Sequence, residues 1–255
     1  MFDCMGWIKF DYDRDIYDWV DAAHKEALRV VADPRLRADW LQCKGTWFVG
    51  VDALPSDATG SFAKTPLKGR VMDWLASIQI KPMHPAQLSV IYEGYPKPRE
   101  GESEGAFNYR LKRDAAHVDG LLPIGEARRR MLKEPHAYIL GLPLNSCAFG
   151  ASPLVIWEGS HIVIAETFEK ELKVTSPQNW YKIDLTDVYH KARRYIFETC
   201  RRVIIHAKPG EAYVLHRLAL HGISPWVDGA VAPKEGRMIA YLRPELADLS
   251  EWVKI

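Results

Sequence analysis

The sequence predicts a mainly β protein, a sandwich or barrel with helices packed outside it. Three observations carry this. Helical patterning concentrates in the first third of the chain. From residue 86 onward short apolar strands follow one another, joined by turns of Pro, Gly and Asn. Strands and helices do not alternate regularly, as a doubly wound parallel sheet would need. A length of 255 residues and 47% hydrophobic content fit one large domain with a sizeable core.

The stretch DRDIYDWVDAAHKEALRVVAD sets Ile16, Trp19, Val20, Ala23, Ala27 and Val30 near one helical face. Asp13 or Asp15 can cap its start, and Pro34 marks its end. TWFVGVDAL reads as a strand and PSDATGSFAKTP as a loop. PLKGRVMDWLASIQI offers a second helix with Val71, Trp74 and Leu75 on one side. AQLSVIYEGY is a strand, and PKPREGESEGA is a polar, mobile loop. FNYRLKRDAAHVDG alternates apolar and polar residues as a strand does. IGEARRRMLKE reads as a short helix or basic loop. HAYILGLPLN and SPLVIWEGSH are strands, and LTDVYHKARRYIFETC is an amphipathic helix capped near Asp184 or Thr186. RRVIIHAKPGEAYVLHRLALHG and GRMIAYLRPE return to strands.

Lys and Arg number 34 against 33 Asp and Glu, a net charge of +1, which argues against a general nucleic-acid or membrane-surface binder. Cys4, Cys43, Cys147 and Cys200 stand far apart with no C-x-x-C spacing. They read as reduced thiols of a cytoplasmic protein. The opening MFDCMGWIKFDYDRD mixes acids into its apolar residues, unlike a secretory signal. No apolar run approaches the roughly 18 residues that span a bilayer.

Of the nine histidines, His117 alone has an aspartate two positions on. The tripeptide by itself is a weak signal. On an extended strand, residues i and i+2 share a side, so His117 and Asp119 would offer one nitrogen and one oxygen to a single point. Gly120 lets the chain turn away. One more imidazole would complete a two-His-one-carboxylate triad, which holds Fe(II) and leaves the opposite face open. His216 and His221 are the candidates. Five apart, they face opposite sides of a regular strand. His221, followed by Gly222, is favoured as the ligand, with His216 a packing or supporting residue. In GRMIAYLRPE, Arg237 and Arg243 can share a face with Ile239 and Tyr241. An inward arginine needs an anion, and a guanidinium grips a carboxylate well. Arg243, beside Pro244, reads more simply as a surface residue at the strand end.

HVDG, ASPLVIWEGSH, PGEAYVLHRLALHGISPW and GRMIAYL, in that order, resemble the phytanoyl-CoA dioxygenase-like branch of the Fe(II)/2-oxoglutarate-dependent oxygenases. The resemblance covers about residues 86–243. It differs at Glu158, where the family usually has Pro before Gly-Ser-His, and at the Ile-Ser-Pro-Trp after His221-Gly222. It implies a double-stranded β-helix, a jelly-roll or cupin-like barrel. It also implies one oxygenase domain over 1–255, with a mostly helical flank at 1–85, a core at 86–243 and a helix-bearing insertion at 162–200. It implies that His117, Asp119 and His221 bind Fe(II) and that Arg237 pairs with 2-oxoglutarate. The implied activity is oxidation by dioxygen of a small-molecule substrate, hydroxylation by default, with decarboxylation of 2-oxoglutarate to succinate. Trp157 and His161, at a strand end expected to face the barrel mouth, are candidate substrate contacts. Arg128, Arg129 and Arg130 could meet an anionic group or form a solvated face, and EGESEG could be a lid or an ordinary loop. Two rivals keep the barrel: a metal oxygenase that does not use 2-oxoglutarate, and a non-catalytic cupin-like barrel that binds a metal or small ligand.

Overall fold

A computed structural model of the chain describes residues 2–62 and 64–255. Ala63, inside the loop expected at 55–66, lies outside the described residues. Helix α1 (Phe2–Met5) and strand β1 (Trp7–Phe10) precede helices α2 (Arg14–Ala32) and α3 (Pro34–Trp40). Strands β2 (Leu41–Gln42) and β3 (Trp47–Leu54), helix α4 (Arg70–Leu75) and strand β4 (Ala86–Ile91) follow. Helix α5 (Glu104–Lys112) leads to a hairpin, β5 (Leu121–Ile124) and β6 (Arg129–Leu132). Strands β7 (Tyr138–Pro143) and β8 (Leu154–Trp157) are separated from the rest by helices α6 (Ser160–Leu172) and α7 (Thr186–Thr199). Strands β9 (Arg202–Ile205), β10 (Ala212–His216), β11 (His221–Ile223) and β12 (Arg237–Leu242) complete the chain.

The large sheet runs β1-β10-β7-β12-β4-β3-β2, and a smaller one runs β11-β8-β9. Every pairing is antiparallel. Alternation along the strands sorts the side chains. Ile139, Tyr213, Leu215 and Ile239 of the large sheet meet Leu154, Ile156 and Ile205 of the small one in a single interior cluster. On the outer side Phe48, Leu88, Leu140 and Met238 join the core that includes the apolar stripe of α2. The small sheet buries its outer side, Val155 and Trp157, with residues of α6 and α7.

The sequence logic of α2 is complete. Asp13 caps it by accepting from the Asp15 N–H at 3.0 Å. Its buried stripe holds Ile16, Trp19, Val20, Ala23, Ala27 and Val30, as the spacing predicts, and adds Val31. Trp19, fully buried, also donates its indole N–H to the Gly60 carbonyl at 2.9 Å, tying the 55–66 loop to the helix.

Elsewhere the structure corrects the sequence expectations. Residues 107–112 are helical, not extended: Ser103 caps α5 at the Ala106 N–H, and Glu104, Arg110 and Lys112 suit its two ends. The alternation there misleads because Arg110 is buried, held by the Glu102 carboxylate. Residues 124–134 form neither helix nor basic loop. Gly125 at φ 68° and Arg128 at φ 50° make the tight turn of the β5–β6 hairpin, whose exposed basic residues hide its strand pattern. α4 is shorter than expected and leaves Trp74 38% exposed while burying Val71 and Leu75. The strand expected over 86–95 stops at Ile91. The 1–85 segment is more than a helical flank, since β1, β2 and β3 extend both edges of the large sheet.

Trp19→Ala should lower unfolding stability by about 3–5 kcal/mol, the usual range for emptying a large aromatic site. Urea denaturation checks this, and a change below about 1 kcal/mol would show that α2 does not anchor the sheet.

Candidate metal centre

His117 belongs to no sheet strand. It lies in a loop that touches β11 through one isolated bridge to His221. The His117 N–H donates to the His221 carbonyl at 2.8 Å, and the His221 N–H returns a bond to the His117 carbonyl at 3.0 Å. The expected strand over 113–120 is therefore absent, yet the local extension needed to align His117 and Asp119 is kept. Two glycines make the approach possible. A Cβ on Gly222 would stand 2.1 Å from the Asp114 carbonyl oxygen, and one on Gly120 (φ 81°) would stand 2.0 Å from that of Glu134.

The loop is strained and then held. Asp114 and Ala115 both have φ 53°. Non-glycine residues in the left-handed region cost on the order of 1 kcal/mol or more each. Arg202 grips the buried Asp114 carboxylate with two bonds, at 2.8 and 2.7 Å. Tyr109 donates its hydroxyl proton to the Ala116 carbonyl at 2.7 Å, and the Val118 N–H donates to the Tyr189 hydroxyl at 3.2 Å. The backbone on both sides of His117 is thus pinned by tyrosines of α5 and α7. The Arg193 guanidinium lies over both rings, 4.5 Å from Tyr109 and 5.2 Å from Tyr189.

His117, Asp119 and His221 each offer one donor atom, and these atoms lie within 4.8 Å of one another. Asp119 Oδ1 is 3.1 Å from His117 Nε2 and 3.7 Å from His221 Nε2. Each imidazole has Nδ1 set against a carbonyl two residues back, Ala115 for His117 and Ala219 for His221, both at 2.9 Å. Bonds of this kind fix the tautomer and aim the Nε2 lone pair into the site, as metal-ligating histidines require. Arg243 donates to Asp119 Oδ2 at 3.1 Å, which leaves Oδ1 for the centre of the triad. This donor set fits a divalent metal ion.

The electrostatics agree. Burial would raise the Asp119 carboxyl, but Arg243, the hydrogen bond from His117 and the charges of both imidazoles hold it well below the usual range. Burial opposes charge on His117, and the Asp119 hydrogen bond and charge outweigh it, so its pKa is raised. Burial, reinforced by His117, pushes His221 down to about 4, which keeps it neutral.

A cavity of about 280 Å³ covers the triad, walled by Trp47, Val49, Ile139, Leu154, Ile223 and Tyr241 among others. Arg237 is not in its wall. It is buried at the far end of the β12 face that carries Ile239 and Tyr241, beside Tyr213, and its Nη1 has no partner among the described residues. Arg243, read from sequence as a surface residue, instead reaches Asp119 and Gln87. His216 is turned away from the triad and packs 4.8 Å from His161; burial pushes it down to about 2.

The expected substrate contacts Trp157 and His161 lie elsewhere. Leu154 and Ile156 face inward, so alternation sends Trp157 outward, edge-on to Phe197 at 5.1 Å. Gly159 (φ 77°) starts α6, which buries His161 against the Asp3 carbonyl at 3.0 Å. Arg129 pairs with Asp184 at 2.9 Å, outside the cavity wall. Tyr109 and Tyr189 were not anticipated: Tyr109 folds back on a carbonyl seven residues on, Tyr189 reaches a segment 71 residues away, and neither contact leaves a local pattern.

No protein-family model and no curated protein matches the sequence. Solved structures do match in fold. The non-heme alpha ketoglutarate dependent epimerase SnoN from nogalamycin biosynthesis aligns at TM-score 0.51 and 12% identity, over 96% of this chain and 80% of its own. The non-heme alpha ketoglutarate dependent carbocyclase SnoK from the same biosynthesis aligns at TM-score 0.50 and 11% identity, over 96% and 81%. EctD from S. alaskensis, solved with bound Fe, gives 0.48 and 17%, over 96% and 74%. The chain therefore shares a mainly antiparallel fold with flanking helices with SnoN and SnoK.

Two outcomes follow. Tyr189→Phe, which frees the Val118 N–H, should weaken Co(II) binding about tenfold, as loss of a supporting bond does elsewhere. Unchanged affinity would show that the tyrosine does not hold the loop. Co(II) affinity should be flat above the raised pKa of His117 and fall about tenfold per pH unit below it, because metal must displace the His117 proton. Spectrophotometric titration across pH checks this, and a pH-independent affinity would remove His117 from the ligand set.

Proposed function

We propose that this chain is a non-haem Fe(II)/2-oxoglutarate-dependent dioxygenase that oxidises a small molecule. Hydroxylation is the default outcome, with succinate and carbon dioxide released. The single observation that carries the reading is the convergence of His117, Asp119 and His221, with both Nδ1 atoms satisfied and one Asp119 oxygen reserved by Arg243. The strand order supports a double-stranded β-helix. One four-strand run is β4-β12-β7-β10, and the other is the His117 bridge, β11, β8 and β9. The 158–201 segment, carrying α6 and α7, is then an insertion between two barrel strands. The shared fold with SnoN and SnoK is consistent with this reading.

His117, Asp119 and His221 would hold Fe(II) from one side. When bound, the metal supplies dioxygen activation and a point of chelation for the keto acid. The chain supplies placement. Tyr109 and Tyr189 keep His117 in position, and Arg243 keeps Asp119 ionised and oriented. Trp47, Ile139 and Leu154 give the substrate a wall that excludes water. The 2-oxoglutarate carboxylate remote from the metal is assigned to Arg237, because a buried guanidinium nitrogen without a partner is costly until an anion meets it. No helix among the described residues is long and apolar enough to cross a membrane.

The position of Arg237 outside the cavity wall favours one second reading, a metal oxygenase of the same fold that does not use 2-oxoglutarate. Release of succinate from 2-oxoglutarate with Fe(II) and dioxygen separates the two. Wild type should form succinate, and His117→Ala should lose at least about 100-fold of it, in line with loss of a metal ligand. Arg237→Ala should raise the KM for 2-oxoglutarate more than it lowers kcat. No succinate from the iron-loaded protein would leave the second reading standing.

A further inference from the structure

A second cavity of about 250 Å³ adjoins the one over the triad, and Val51, Gln87, Glu134, Tyr241 and Arg243 line both. The cavity over the triad is walled mainly by apolar groups. Its neighbour adds Asp52, His84, His136 and Glu245. Arg243 is the one lysine or arginine among the lining residues, and its guanidinium is engaged by Asp119 and Gln87. Glu245 is paired with Lys81 at 2.8 Å. That leaves Glu134 and Asp52 as carboxylates with no lysine or arginine partner among the described residues.

Glu134 is a built anchor. Its Oε2 is 3.2 Å from Nε2 of His136, whose Nδ1 is fixed 3.0 Å from the Arg243 carbonyl. His136 is only 6% exposed, so this partner is held rigidly. The His136 hydrogen bond also lowers the Glu134 pKa and keeps the group ionised. Oε1 has no hydrogen-bond partner among the described residues and remains for a ligand. An anionic substrate body would meet two carboxylates and no free lysine or arginine here. A donor cation would find a half-buried, oriented carboxylate at the edge of an apolar recess.

We propose that the substrate of this site is an amine: an apolar body seated against Trp47, Ile139 and Leu154, with a protonated amino group received by Glu134 and Asp52. This rests on the proposed function for the identity of the site, but its test does not. Binding of 2-phenylethylamine and of 3-phenylpropionate is measured by titration calorimetry on metal-free wild type, Glu134→Gln and Asp52→Asn, with melting curves confirming that each variant folds. Wild type should bind the amine at least about tenfold more tightly than the carboxylate, a difference of about 1.4 kcal/mol. Glu134→Gln should remove most of that preference, and Asp52→Asn a smaller part. Equal or tighter binding of the carboxylate, no binding of either probe, or a preference unchanged in Glu134→Gln would overturn the proposal. Amine preference without succinate formation in the iron-loaded enzyme would leave this inference intact and sink the dioxygenase reading instead.

Discussion

Everything in the site depends on the pair of backbone hydrogen bonds that join His117 to His221. These two residues lie far apart in sequence and come from a loop and a three-residue strand, neither of which is a strong element alone. The bridge sets their rings 4.6 Å apart and brings Asp119 between them. Gly222 is the permissive element, because any side chain there would collide with the Asp114 carbonyl and part the two segments. The bridge also explains how two consecutive left-handed residues are tolerated: the Arg202–Asp114 ion pair and the tyrosine bonds act on the same few residues.

The helices outside the sheets serve the site as well as the core. α7 buries Tyr189, Ala192 and Ile196 and turns the Tyr189 hydroxyl to the loop carrying His117. α5 does the same with Tyr109 from the other side. Arg193 couples the two rings without a carboxylate partner among the described residues, so the support is cationic stacking on a half-buried surface. On the opposite flank the β12 arginines divide the work by depth. Arg243 governs the charge of Asp119 near the opening, and Arg237 stays buried and unmatched at the far end.

The sequence made the parts of this arrangement legible unevenly. The stripe of α2 follows from periodicity, because burial on one side leaves a period in the residues, while the strands at 86–91, 138–143, 154–157 and 237–242 are legible as short apolar runs, because both of their faces are buried. His117, Asp119 and His221 were legible as types and spacings and Gly120 as a turn, whereas the close backbone approaches at Gly120 and Gly222 are visible only in the structure. Other features were hidden where charge and burial disagree. Buried Arg110 disguised α5 as a strand, and the basic run 128–130 disguised β6 as a short helix or loop. Trp157 was misplaced by one step of alternation, and His161 by a helix that begins at a left-handed glycine. Tyr189 carries no local mark, since it acts on a segment remote in sequence, and Tyr109 and Glu134 act on near neighbours, Ala116 and His136, through turns that no period in the residues records.

The central claim is that three side chains already poised as ligands form one iron site open to a keto acid. The most direct measurement is an anaerobic titration of the protein with Fe(II) and then 2-oxoglutarate, followed by visible absorption. The account predicts a charge-transfer band that needs both components, saturates at one iron per chain and is absent in His117→Ala. A protein that binds Fe(II) without such a band would contradict the keto-acid half of the claim. One that binds no iron would contradict the whole.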